Sequence, residues 1–393
     1  MTRDIVIVGA ARTAIGTFGG TLKDVPLSQL ATTAVKAALE RSAVAPDAVG
    51  HVALGNVIPT EPKDAYLSRV AALNAGLPET VPAFNVNRLC GSGLQAIISA
   101  AQTIALGDAD VAIGGGAEAM SRGPYISSGM RWGQRMGDGR TVDYMLAALH
   151  DPFQDIHMGI TAENVAARRQ VSREDQDALA AESHRRAAHA IAEGRFREQI
   201  VPVEIVSRKG TKIFDTDEHV RADTTVDALS KMKPVFKADG TVTAGNASGI
   251  NDAAAAVVLA EAVLAERMGL KPLARLVGYA HAGVAPDEMG IGPIPATRKV
   301  LERTGLSIAD LDVIESNEAF AAQACAVARE LGLDPAKVNP NGSGISLGHP
   351  VGATGAIISV KAIYELHRIG GRYALVTMCI GGGQGIAAIF ERV

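Results

Sequence analysis

Short β-branched segments alternate with alanine-rich helical segments through the first third of this chain. Strand patterns cover residues 5–8, 51–54 and 110–114, and helical patterns cover residues 28–42, 66–75 and 93–105. Apolar residues with a period near 3.6 predict helices, whereas short β-branched runs bounded by turn residues predict strands. This alternation is typical of βαβ units, so we predict an α/β protein built on a mostly parallel sheet.

The last third of the chain repeats short patterns of the first third in the same order. The recurring patterns are AIIS at 96–99 and 356–359, IGGG at 113–116 and 380–383, and the similar VALGN at 52–56 and VIESN at 313–317. Each match is short, but the shared order favours a duplicated architecture. Residues 121–237 between the two parts are irregular, which predicts an insertion over the scaffold. Matching loops of two packed halves meet at their junction, where pockets usually form.

The overall charge and the cysteines exclude several classes of protein. The formal net charge is −4 and the basic residues are dispersed, so we expect no positive surface that would gather nucleic acid or an anionic membrane. Three cysteines in 393 residues cannot form a disulfide framework, and their odd number favours a reducing compartment. Cysteine chemistry, if present, is expected to come from free thiols.

The first residues and the apolar runs give no sign of export or membrane insertion. The chain enters its first strand pattern without the basic segment, long apolar region and cleavage site of a secretion signal. Each alanine-rich stretch is interrupted by Gly, Asp or Gln before it reaches the roughly 18–20 apolar residues that span a bilayer. We therefore expect a cytoplasmic protein that has neither nucleic acid nor a membrane as a partner.

Cys90 stands in the sequence NRLCGSG at 87–93, directly before an apolar helical run. Free N–H groups and the positive dipole end of a helix N-terminus stabilise a thiolate, so we expect a nucleophilic Cys90 with a lowered pKa. The flanking glycines would let a ligand approach the backbone. For this motif alone, a small core residue beside an alanine-rich helix is an equally good interpretation.

His349 ends a glycine-punctuated loop, NPNGSGISLGHP at 339–350, just before another helical segment. A helix N-terminus favours neutral imidazole, which is the form required of a general base. Taken alone, a histidine in a loop is more often structural or exposed, so the interpretation depends on the residues that accompany it.

Cys379 ends a β pattern at 373–380 and is followed by the glycine run GGGQG. Such a run indicates a tight hairpin or backbone N–H groups presented to an anion, and the two are compatible. Cys325, in contrast, lies among alanines in the helical pattern 319–331, where we interpret it as a core residue.

Six motifs together resemble the thiolase family, and they cover essentially the whole chain in the family's order. They are residues 87–93, 114–120, 245–249, 317–321, 341–355 and 379–385. Within the family, the chain is most similar to bacterial acetyl-CoA acetyltransferases and β-ketothiolases of the biosynthetic type. The resemblance implies a reversible Claisen condensation of acyl-CoA with acetyl-CoA, through an acyl-cysteine, to give 3-ketoacyl-CoA and CoA.

The resemblance implies roles for five residues of the reaction centre. Cys90 would carry the acyl group, and His349 would be the base that activates it. Cys379 would remove a proton from the α-carbon of the second acetyl-CoA. Asn317, through a water, would join His349 in one oxyanion hole, and the N–H groups of Cys90 and Gly381 would form another. Both half-reactions develop negative charge on a thioester oxygen, which such donors stabilise.

The resemblance also implies a CoA-binding surface, largely in the insertion. The residues that match its positions are His157, Met158, Arg221, Ser248, Met289, Ala319 and Phe320. Arg221 would lie near the adenine end, although the local charge pattern by itself favours a solvated arginine. Ala228 departs from the family pattern, because relatives often carry a hydroxyl residue there that contacts the nucleotide.

For the fold, the resemblance implies a five-layered αβαβα sandwich of two related halves with an inserted loop domain. The implied boundaries are 1–120 with 250–271 for the N-terminal half, 121–249 for the CoA-binding insertion and 272–393 for the C-terminal half. It also implies a homotetramer whose ligands are acetyl-CoA, acyl-CoA and CoA. CoA thioesters are substrates, so we expect no cofactor and no metal. The motifs at 155–159 and 289–293 are most similar to β-ketothiolases that accept propionyl as well as acetyl groups.

Other functions fit the residues less well. The glycines at 9–16 lack the G-x-G-x-x-G spacing of NAD-binding proteins, and the cysteines and histidines lack the paired spacing of metal ligands. A β-ketoacyl synthase shares the implied fold and the acyl-cysteine, but it does not need Cys379 in a glycine hairpin. A non-catalytic acyl-CoA-binding protein would not need Cys90, Asn317, His349 and Cys379 together.

Overall fold

The protein is described by a computed structural model that covers residues 3–208 and 210–393. Its helices are α1 (Leu27–Ser42), α2 (Leu67–Asn74), α3 (Ser92–Leu106), α4 (Tyr144–Ala147), α5 (Met158–Arg168), α6 (Arg173–Ala192), α7 (Val226–Ser230), α8 (Ala262–Arg267), α9 (Pro293–Thr304), α10 (Ala321–Leu331), α11 (Gly344–Leu347) and α12 (Thr354–Ile369). Its strands are β1 (Ile5–Thr13), β2 (Gly16–Thr17), β3 (His51–Gly55), β4 (Ala83–Val86), β5 (Val111–Ala119), β6 (Tyr125–Ile126), β7 (Val142–Asp143), β8 (His150–Asp151), β9 (Ile156–His157), β10 (Ile200–Val201), β11 (Val203–Ser207), β12 (Gly210–Phe214), β13 (Asn251–Glu261), β14 (Ala274–Gly283), β15 (Val313–Ser316), β16 (Tyr373–Ile380) and β17 (Gln384–Arg392).

One large mixed sheet forms the scaffold. Its strands lie in the order β15-β16-β17-β14-β1-β13-β5-β3-β4, with β10 paired to β1 and β2 paired to β13. β3 runs parallel to β4 and β5, and β15 runs parallel to β16, whereas β13 and β17 are antiparallel to both of their neighbours in this order. The predicted mostly parallel sheet is therefore wrong. A tight hairpin joins β16 to β17, and such a hairpin connects antiparallel strands only. β13 is likewise antiparallel to β5, to which the insertion connects it.

The two ends of this sheet have the same strand order. In the N-terminal half β1 pairs with β13, β13 with β5 and β5 with β3. In the C-terminal half β14 pairs with β17, β17 with β16 and β16 with β15. Two of the three recurring patterns fall on equivalent elements. Residues 52–55 lie in β3 as 313–316 lie in β15, with Asn56 and Asn317 directly after these strands, and 96–99 lies in α3 as 356–359 lies in α12. The predicted duplication is confirmed.

Helices divide and cover the two halves of the sheet in five layers. α1 packs on β1 and β13, and α9 packs on β14 and β17, so these helices belong to the outer layers. α3 and α12 pack against each other between the halves, since α3 contacts β3 and β5 while α12 contacts β13, β15 and β16. Most residues of both central helices are buried. This arrangement is the αβαβα sandwich that the sequence resemblance implies.

The central helix α3 corrects one expectation drawn from hydropathy. By length and composition alone, Leu89–Leu106 is apolar enough to cross a membrane, although we expected no such run in this chain. In the structure this segment consists of the turn that precedes α3 and of α3 itself, a core helix whose residues are mostly buried between the two halves. A helix that is enclosed by protein on several sides is apolar around its circumference, so its hydropathy here reflects burial in the core.

The segment between β5 and β13 lies mainly outside the large sheet. It contains the short strand pairs β6–β7, β8–β9 and β11–β12 and the helices α4 to α7, while β10 joins the large sheet beside β1. α6 begins at a capping box, in which Ser172 and Asp175 each accept the backbone N–H of the other. α5 and α6 contact α10, so the insertion covers part of the C-terminal half. The domain boundaries given above stay a prediction.

Candidate active site

Cys90 lies in a tight turn that leads from β4 into α3. The turn is held by Ser92, whose hydroxyl donates to the carbonyl of Leu89 at 2.6 Å and accepts from the backbone N–H of Arg88 at 2.8 Å. Leu89 has a φ of 45°, which is uncommon for a residue with a side chain. The turn leaves the side chain of Cys90 partly exposed at the junction of the two halves.

Burial raises the pKa of the Cys90 thiol to about 11. The backbone N–H groups of Gly381 and of Cys90 itself point at the sulfur and oppose this rise, while the carboxylate of Glu118 adds to it. The predicted lowering of the Cys90 pKa is therefore wrong for the free protein, because desolvation outweighs the donors. Cys90 is a thiol at neutral pH and needs a base to become a nucleophile.

A glycine-rich hairpin between β16 and β17 brings Cys379 and Gly381 to Cys90. Gly383 has a φ of 82°, and a Cβ atom there would clash with the neighbouring backbone, so the turn requires glycine. The predicted hairpin is confirmed. It also presents the Gly381 N–H to the Cys90 sulfur. The predicted use of such N–H groups to bind an anion stays a prediction.

The side chain of Cys379 is almost completely buried. It packs in an apolar cluster whose members include four residues predicted to bind CoA: Met158, Met289, Ala319 and Phe320. Burial raises the pKa of Cys379, and the neighbouring Cys90 raises it further. Cys379 is thus a thiol in the free protein, and Cys90 is close enough to raise its pKa.

His349 lies in the loop between α11 and α12, with 6% of its surface exposed. Its backbone N–H donates to Oδ1 of Asn251 at 3.0 Å, and its Nδ1 lies 2.7 Å from the hydroxyl of Thr354. Nε2 is buried and has no hydrogen-bond partner among the described residues. Burial lowers the pKa of His349 to about 4, so the imidazole is neutral at pH 7 as predicted. The cause is desolvation rather than a helix dipole.

Asn317 follows β15 and reaches the imidazole of His349. The backbone N–H of Asn317 donates to the carbonyl of Thr377 at 3.0 Å, and the backbone carbonyl of Asn317 accepts from Nε2 of Gln323 at 3.1 Å. The backbone of Asn317 is therefore fixed on both sides. Its Nδ2 lies 3.5 Å from Nδ1 of His349, at the outer limit of a hydrogen bond. Within the part of the chain that the structure describes, its buried Oδ1 has no partner, which leaves it available to a water or a ligand.

A cavity of about 260 Å³ opens above Cys90 and His349. Its walls are mostly apolar and come from both halves and from the insertion. The predicted site residues that line it are Cys90, His349, His157, Met158, Ser248, Met289, Ala319 and Phe320, and further walls are formed by Met120, Leu149, Phe236 and Val351. Cys379, Asn317 and Gly381 adjoin it through the contacts described above.

Known proteins resemble this chain over essentially its whole length. The family model described as thiolase, N-terminal domain, matches residues 5–263, and the one described as thiolase, C-terminal domain, matches residues 270–392. The chain belongs to the thiolase family. It is 68% identical to "Beta-ketothiolase BktB" of Cupriavidus necator over 100% of both chains. It is 51% identical to an acetyl-CoA acetyltransferase of Chromobacterium violaceum, over 99% of this thiolase and 100% of that one.

Solved structures show the same fold at high identity. The crystal structure of the Bacillus anthracis acetyl-CoA acetyltransferase has a TM-score of 0.98 and 48% identity, covering 100% of this thiolase and 99% of that chain. The crystal structure of human mitochondrial 3-ketoacyl-CoA thiolase in complex with CoA has a TM-score of 0.96 and 44% identity, and the match covers 100% of this thiolase and 98% of that chain. The five layers described above are therefore the thiolase fold.

Backbone bonds join two walls of the cavity in this thiolase. The N–H of Ser248 donates to the carbonyl of Ala319 at 2.9 Å, and Ala247 forms a β-bridge with Phe320. The end of the insertion is thereby fixed to the loop that follows β15. Predicted CoA-contacting residues from distant parts of the sequence thus form one rigid wall.

His157 forms another part of the wall. Its Nδ1 accepts the N–H of Gly159 at 3.0 Å and so caps α5, and its ring stacks on Phe236 with centroids 4.7 Å apart. Burial lowers the pKa of His157 to about 4, so the ring is neutral at pH 7. Phe236 lies outside every motif that carried the family resemblance, and the sequence offered no signal for it.

Arg221 does not line this cavity. It borders a separate cavity of about 80 Å³, which shares Ala247 and Gly249 with the larger one. Its backbone N–H donates to Nδ1 of His184 at 3.2 Å, and its side chain is exposed. The structure therefore places Arg221 beyond the apolar walls, where only an extended ligand would reach it.

Two buried polar residues of the site escaped the sequence reasoning. Glu118 accepts hydrogen bonds from the backbone N–H groups of Val57, Ile58 and Gly352 and from the amide of Asn56. Thr354 contacts the ring of His349. Both lie inside matching motifs, at 114–120 and 341–355, and that position was the available signal.

Cys325 lies away from this site, as predicted for a core residue. It is buried on α10, and burial raises the pKa of its thiol to about 12. It lines a second cavity of about 360 Å³ between α6 and α10. None of the residues assigned to the reaction or to CoA lines that cavity, so its larger volume does not make it the better candidate site.

Proposed function

We propose that this thiolase is a β-ketothiolase, an acetyl-CoA C-acyltransferase that acts in both directions. It condenses an acyl-CoA with acetyl-CoA to give a 3-ketoacyl-CoA and CoA, and it cleaves 3-ketoacyl-CoA with CoA in reverse. The observation that carries the proposal is that Cys90 and His349 line one mostly apolar cavity and that Cys379 packs among four residues of its wall. Acyl transfer requires a nucleophile with a base, and the Claisen step requires a second base.

In the first half-reaction Cys90 attacks the thioester carbonyl of an acyl-CoA. Because the pKa of Cys90 is about 11, the thiol must lose its proton as it attacks. His349 lines the same cavity, and its unpartnered Nε2 is the base that takes this proton in the proposal. The N–H groups of Cys90 and Gly381 point at the Cys90 sulfur. In this proposal they stabilise the oxyanion of the tetrahedral intermediate, which forms on the carbon bonded to that sulfur. The bond to the CoA sulfur then breaks, and acyl-Cys90 remains.

The balance of protons gives Cys379 its task. His349 keeps the proton of Cys90, so the departing CoA thiolate takes its proton from Cys379. The resulting Cys379 thiolate removes the α-proton of acetyl-CoA, while the imidazolium of His349 and a water on Asn317 donate to the enolate oxygen. The enolate attacks acyl-Cys90, the C–S bond breaks, and 3-ketoacyl-CoA leaves. The proton on His349 returns to Cys90.

The cavity suits the pantetheine part of CoA thioesters. Its walls are apolar, and Ser248 and His157 add a few polar positions, as is usual for small-molecule sites. A human thiolase of 44% identity has been crystallised with CoA, which supports CoA as a ligand here. Arg221 lies where the nucleotide end would emerge, and Ala228, exposed on α7, supplies no hydroxyl to it. CoA thioesters act as substrates, and the proposal includes no cofactor or metal.

A cytoplasmic homotetramer is part of the same proposal, with no nucleic acid or membrane as a partner. The net charge of −4 supports the absence of a polyanionic partner. Exposed apolar side chains on the inserted loops, Tyr125, Trp132 and Met136, are suited to a contact between copies. Light scattering of the purified protein measures the number of subunits.

Thiolysis of acetoacetyl-CoA tests the activity. The absorbance of acetoacetyl-CoA should fall when free CoA is added to the protein, and Cys90→Ala should leave it constant. Binding of acetoacetyl-CoA without any loss of absorbance would identify a binding protein instead. Condensation that depends on decarboxylation of a malonyl thioester would identify a β-ketoacyl synthase.

Acceptance of propionyl as well as acetyl groups is proposed for the acyl end of the site. One extra methylene in an apolar pocket changes discrimination by only about 1–3 kcal/mol, so a pocket can accept both. Steady-state thiolysis of acetoacetyl-CoA and 3-ketovaleryl-CoA should give similar kcat/KM values. A preference for acetoacetyl-CoA above about a thousandfold, beyond what one methylene accounts for, would refute the broad specificity.

A further inference from the structure

Thr354, the first residue of α12, links the ring of His349 to the backbone of its own loop. Its Oγ1 lies 2.7 Å from Nδ1 of His349 and 2.9 Å from the carbonyl oxygen of Pro350. Thr354 is 2% exposed and His349 is 6% exposed, so bulk water does not compete for these bonds. The hydrogen bond at one ring nitrogen of a histidine decides which nitrogen carries the proton.

The neutral ring has two forms, and the hydroxyl of Thr354 distinguishes them. In the first form Nδ1–H donates to Oγ1 and the hydroxyl donates to Pro350, so both protons have acceptors. In the second form the hydroxyl donates to Nδ1, the bond to Pro350 is lost, and the proton sits on Nε2. No described residue accepts from Nε2. The first form has one more hydrogen bond and leaves no buried N–H unpaired, and orphaned buried N–H groups are rare.

Asn317 competes with Thr354 for the same nitrogen. Its Nδ2 lies 3.5 Å from Nδ1, at the limit of a hydrogen bond, whereas Oγ1 of Thr354 lies at 2.7 Å. An amide N–H favours an unprotonated Nδ1, so Asn317 favours the form with its proton on Nε2. The shorter contact decides the outcome while the hydroxyl is present.

We propose that Thr354 is a positioning residue that holds the proton of His349 on Nδ1 and thereby leaves Nε2 free to accept the proton of Cys90. The inference rests on the proposed acyl transfer to Cys90. Without the hydroxyl, Asn317 is the polar neighbour of Nδ1, and the proton moves to Nε2. The ring then donates where it must accept. The other ionisable groups near Cys90, the Cys379 thiol and the Glu118 carboxylate, are unchanged by this substitution.

The test compares Thr354→Val, which removes the hydroxyl and keeps the shape, with Thr354→Ser, which keeps the hydroxyl. Acetylation of Cys90 by radiolabelled acetyl-CoA in a quench-flow experiment should slow in the valine variant by at least about tenfold. Complete loss of a general base, which would cost roughly 10²–10⁴-fold, sets the upper limit. The serine variant should acetylate at nearly the wild-type rate. Thr297→Val is the matched control, because Thr297 is fully buried on α9 and its Oγ1 has no partner in the described ranges.

Alkylation of Cys90 by iodoacetamide separates a lost base from a distorted site. The deficit of Thr354→Val relative to wild type should be large at pH 7 and should shrink at pH 10, where hydroxide replaces the imidazole. A distorted site would keep the same deficit at both pH values. Equal acetylation of Thr354→Val and wild type, or an equally slow Thr354→Ser, would overturn the proposal. A wild-type protein that is not acetylated at all would instead refute the proposed function.

The tautomer is also measurable in the wild-type protein, which removes any dependence on the folding of a variant. ¹⁵N chemical shifts of selectively labelled histidine distinguish a protonated from an unprotonated ring nitrogen, and the signals of His349 are assigned by their loss in His349→Gln. We expect a protonated Nδ1 and an unprotonated Nε2 at pH 7. The reverse assignment would overturn the inference even if the protein proves to be an active β-ketothiolase.

Discussion

Cys90 and Cys379 carry the same functional group in different surroundings. Cys90 is partly exposed to the cavity, and the N–H groups of Gly381 and of Cys90 itself point at its sulfur. Cys379 is enclosed by apolar side chains behind the glycine hairpin. An acyl group needs space and hydrogen-bond donors, whereas a proton needs neither, and these surroundings agree with the proposed acyl transfer at Cys90 and proton transfer at Cys379.

Substitution of the two cysteines should therefore separate labelling from turnover. Cys90→Ala should abolish covalent labelling by radiolabelled acetyl-CoA and nearly all turnover, because no other positioned thiol accepts the acyl group. Cys379→Ser should still be labelled at Cys90, while condensation falls by at least the roughly 10²–10⁴-fold of a lost general acid/base. Peptide mass spectrometry locates the label. Wild-type label on Cys379 or Cys325, with Cys90→Ala still labelled, contradicts the assignment.

The burial of His349 should make folding stability depend on pH. Its pKa is about 4 in the folded protein against an ordinary value of 6.5, so between these values the unfolded chain binds a proton that the folded chain does not. Stability from this group is complete above pH 6.5 and is lost as pH falls, by about 2 kcal/mol at pH 5. Urea unfolding should show that the free energy of unfolding of His349→Asn, relative to that of the wild type, is higher at pH 5 than at pH 7 by that amount. If the difference in unfolding free energy between His349→Asn and wild type is the same at both pH values, His349 has an ordinary pKa.

At the scale of elements, the site depends on how closely α3 and α12 approach each other. The N-terminal turns of the two central helices touch through their backbones at glycine. A Cβ atom at Gly355 would clash with the backbone nitrogen of Leu94 and lie 2.8 Å from its Cβ. Cys90 precedes α3 and His349 precedes α12, so this contact sets the spacing of the proposed nucleophile and its proposed base.

Gly355→Ala should destabilise the protein and slow the acetylation of Cys90. Overpacking costs about 1–3 kcal/mol, which offsets or exceeds the gain of about 1 kcal/mol in helix propensity. Denaturant unfolding and quench-flow acetylation measure the two effects. Gly139→Ala is the control, since a Cβ at Gly139 would have nothing within 4 Å. Unaltered acetylation in Gly355→Ala would show that the helix spacing does not govern the site.

At the scale of the whole molecule, Glu118 joins the two halves. Its four hydrogen-bond partners are all donors, with Val57 and Ile58 from the N-terminal half and Gly352 from the loop of His349. Each carboxylate oxygen receives two of these bonds. A glutamine in either orientation would therefore turn its NH₂ group toward an N–H donor.

Glu118→Gln should loosen the junction of the halves. An unsatisfied buried polar group costs about 1–3 kcal/mol, so we expect a loss of that size in the free energy of unfolding, with slower acetylation of Cys90. Thermal and denaturant unfolding measure the loss. Glu302→Gln, at an exposed position on α9, should change neither quantity. Wild-type stability in Glu118→Gln would mean that the surrounding loops rearrange around the amide.

Most strands and helices of residues 5–114, the duplication and the candidate reaction residues could be predicted from the sequence. Hydrophobic periodicity depends on neighbours along the chain, so the alternation of strands and helices was readable from residues 5–114 alone. Cys90, His349 and Cys379 stood out because glycine-rich loops surround each of them. Their long motifs then identified the family.

The strand directions, the pKa of Cys90 and the surroundings of His349 could not be predicted, because they depend on contacts that form only in the folded chain. The pKa of Cys90 depends on burial and on Gly381 and Glu118, which are distant in sequence and approach the thiol only after the two halves pack together. The proposed role of the Thr354 hydroxyl depends on a single contact, 2.7 Å from its Oγ1 to Nδ1 of His349. Desolvation and hydrogen bonding act through space, so the order of residues along the chain does not contain them until the fold brings the groups together.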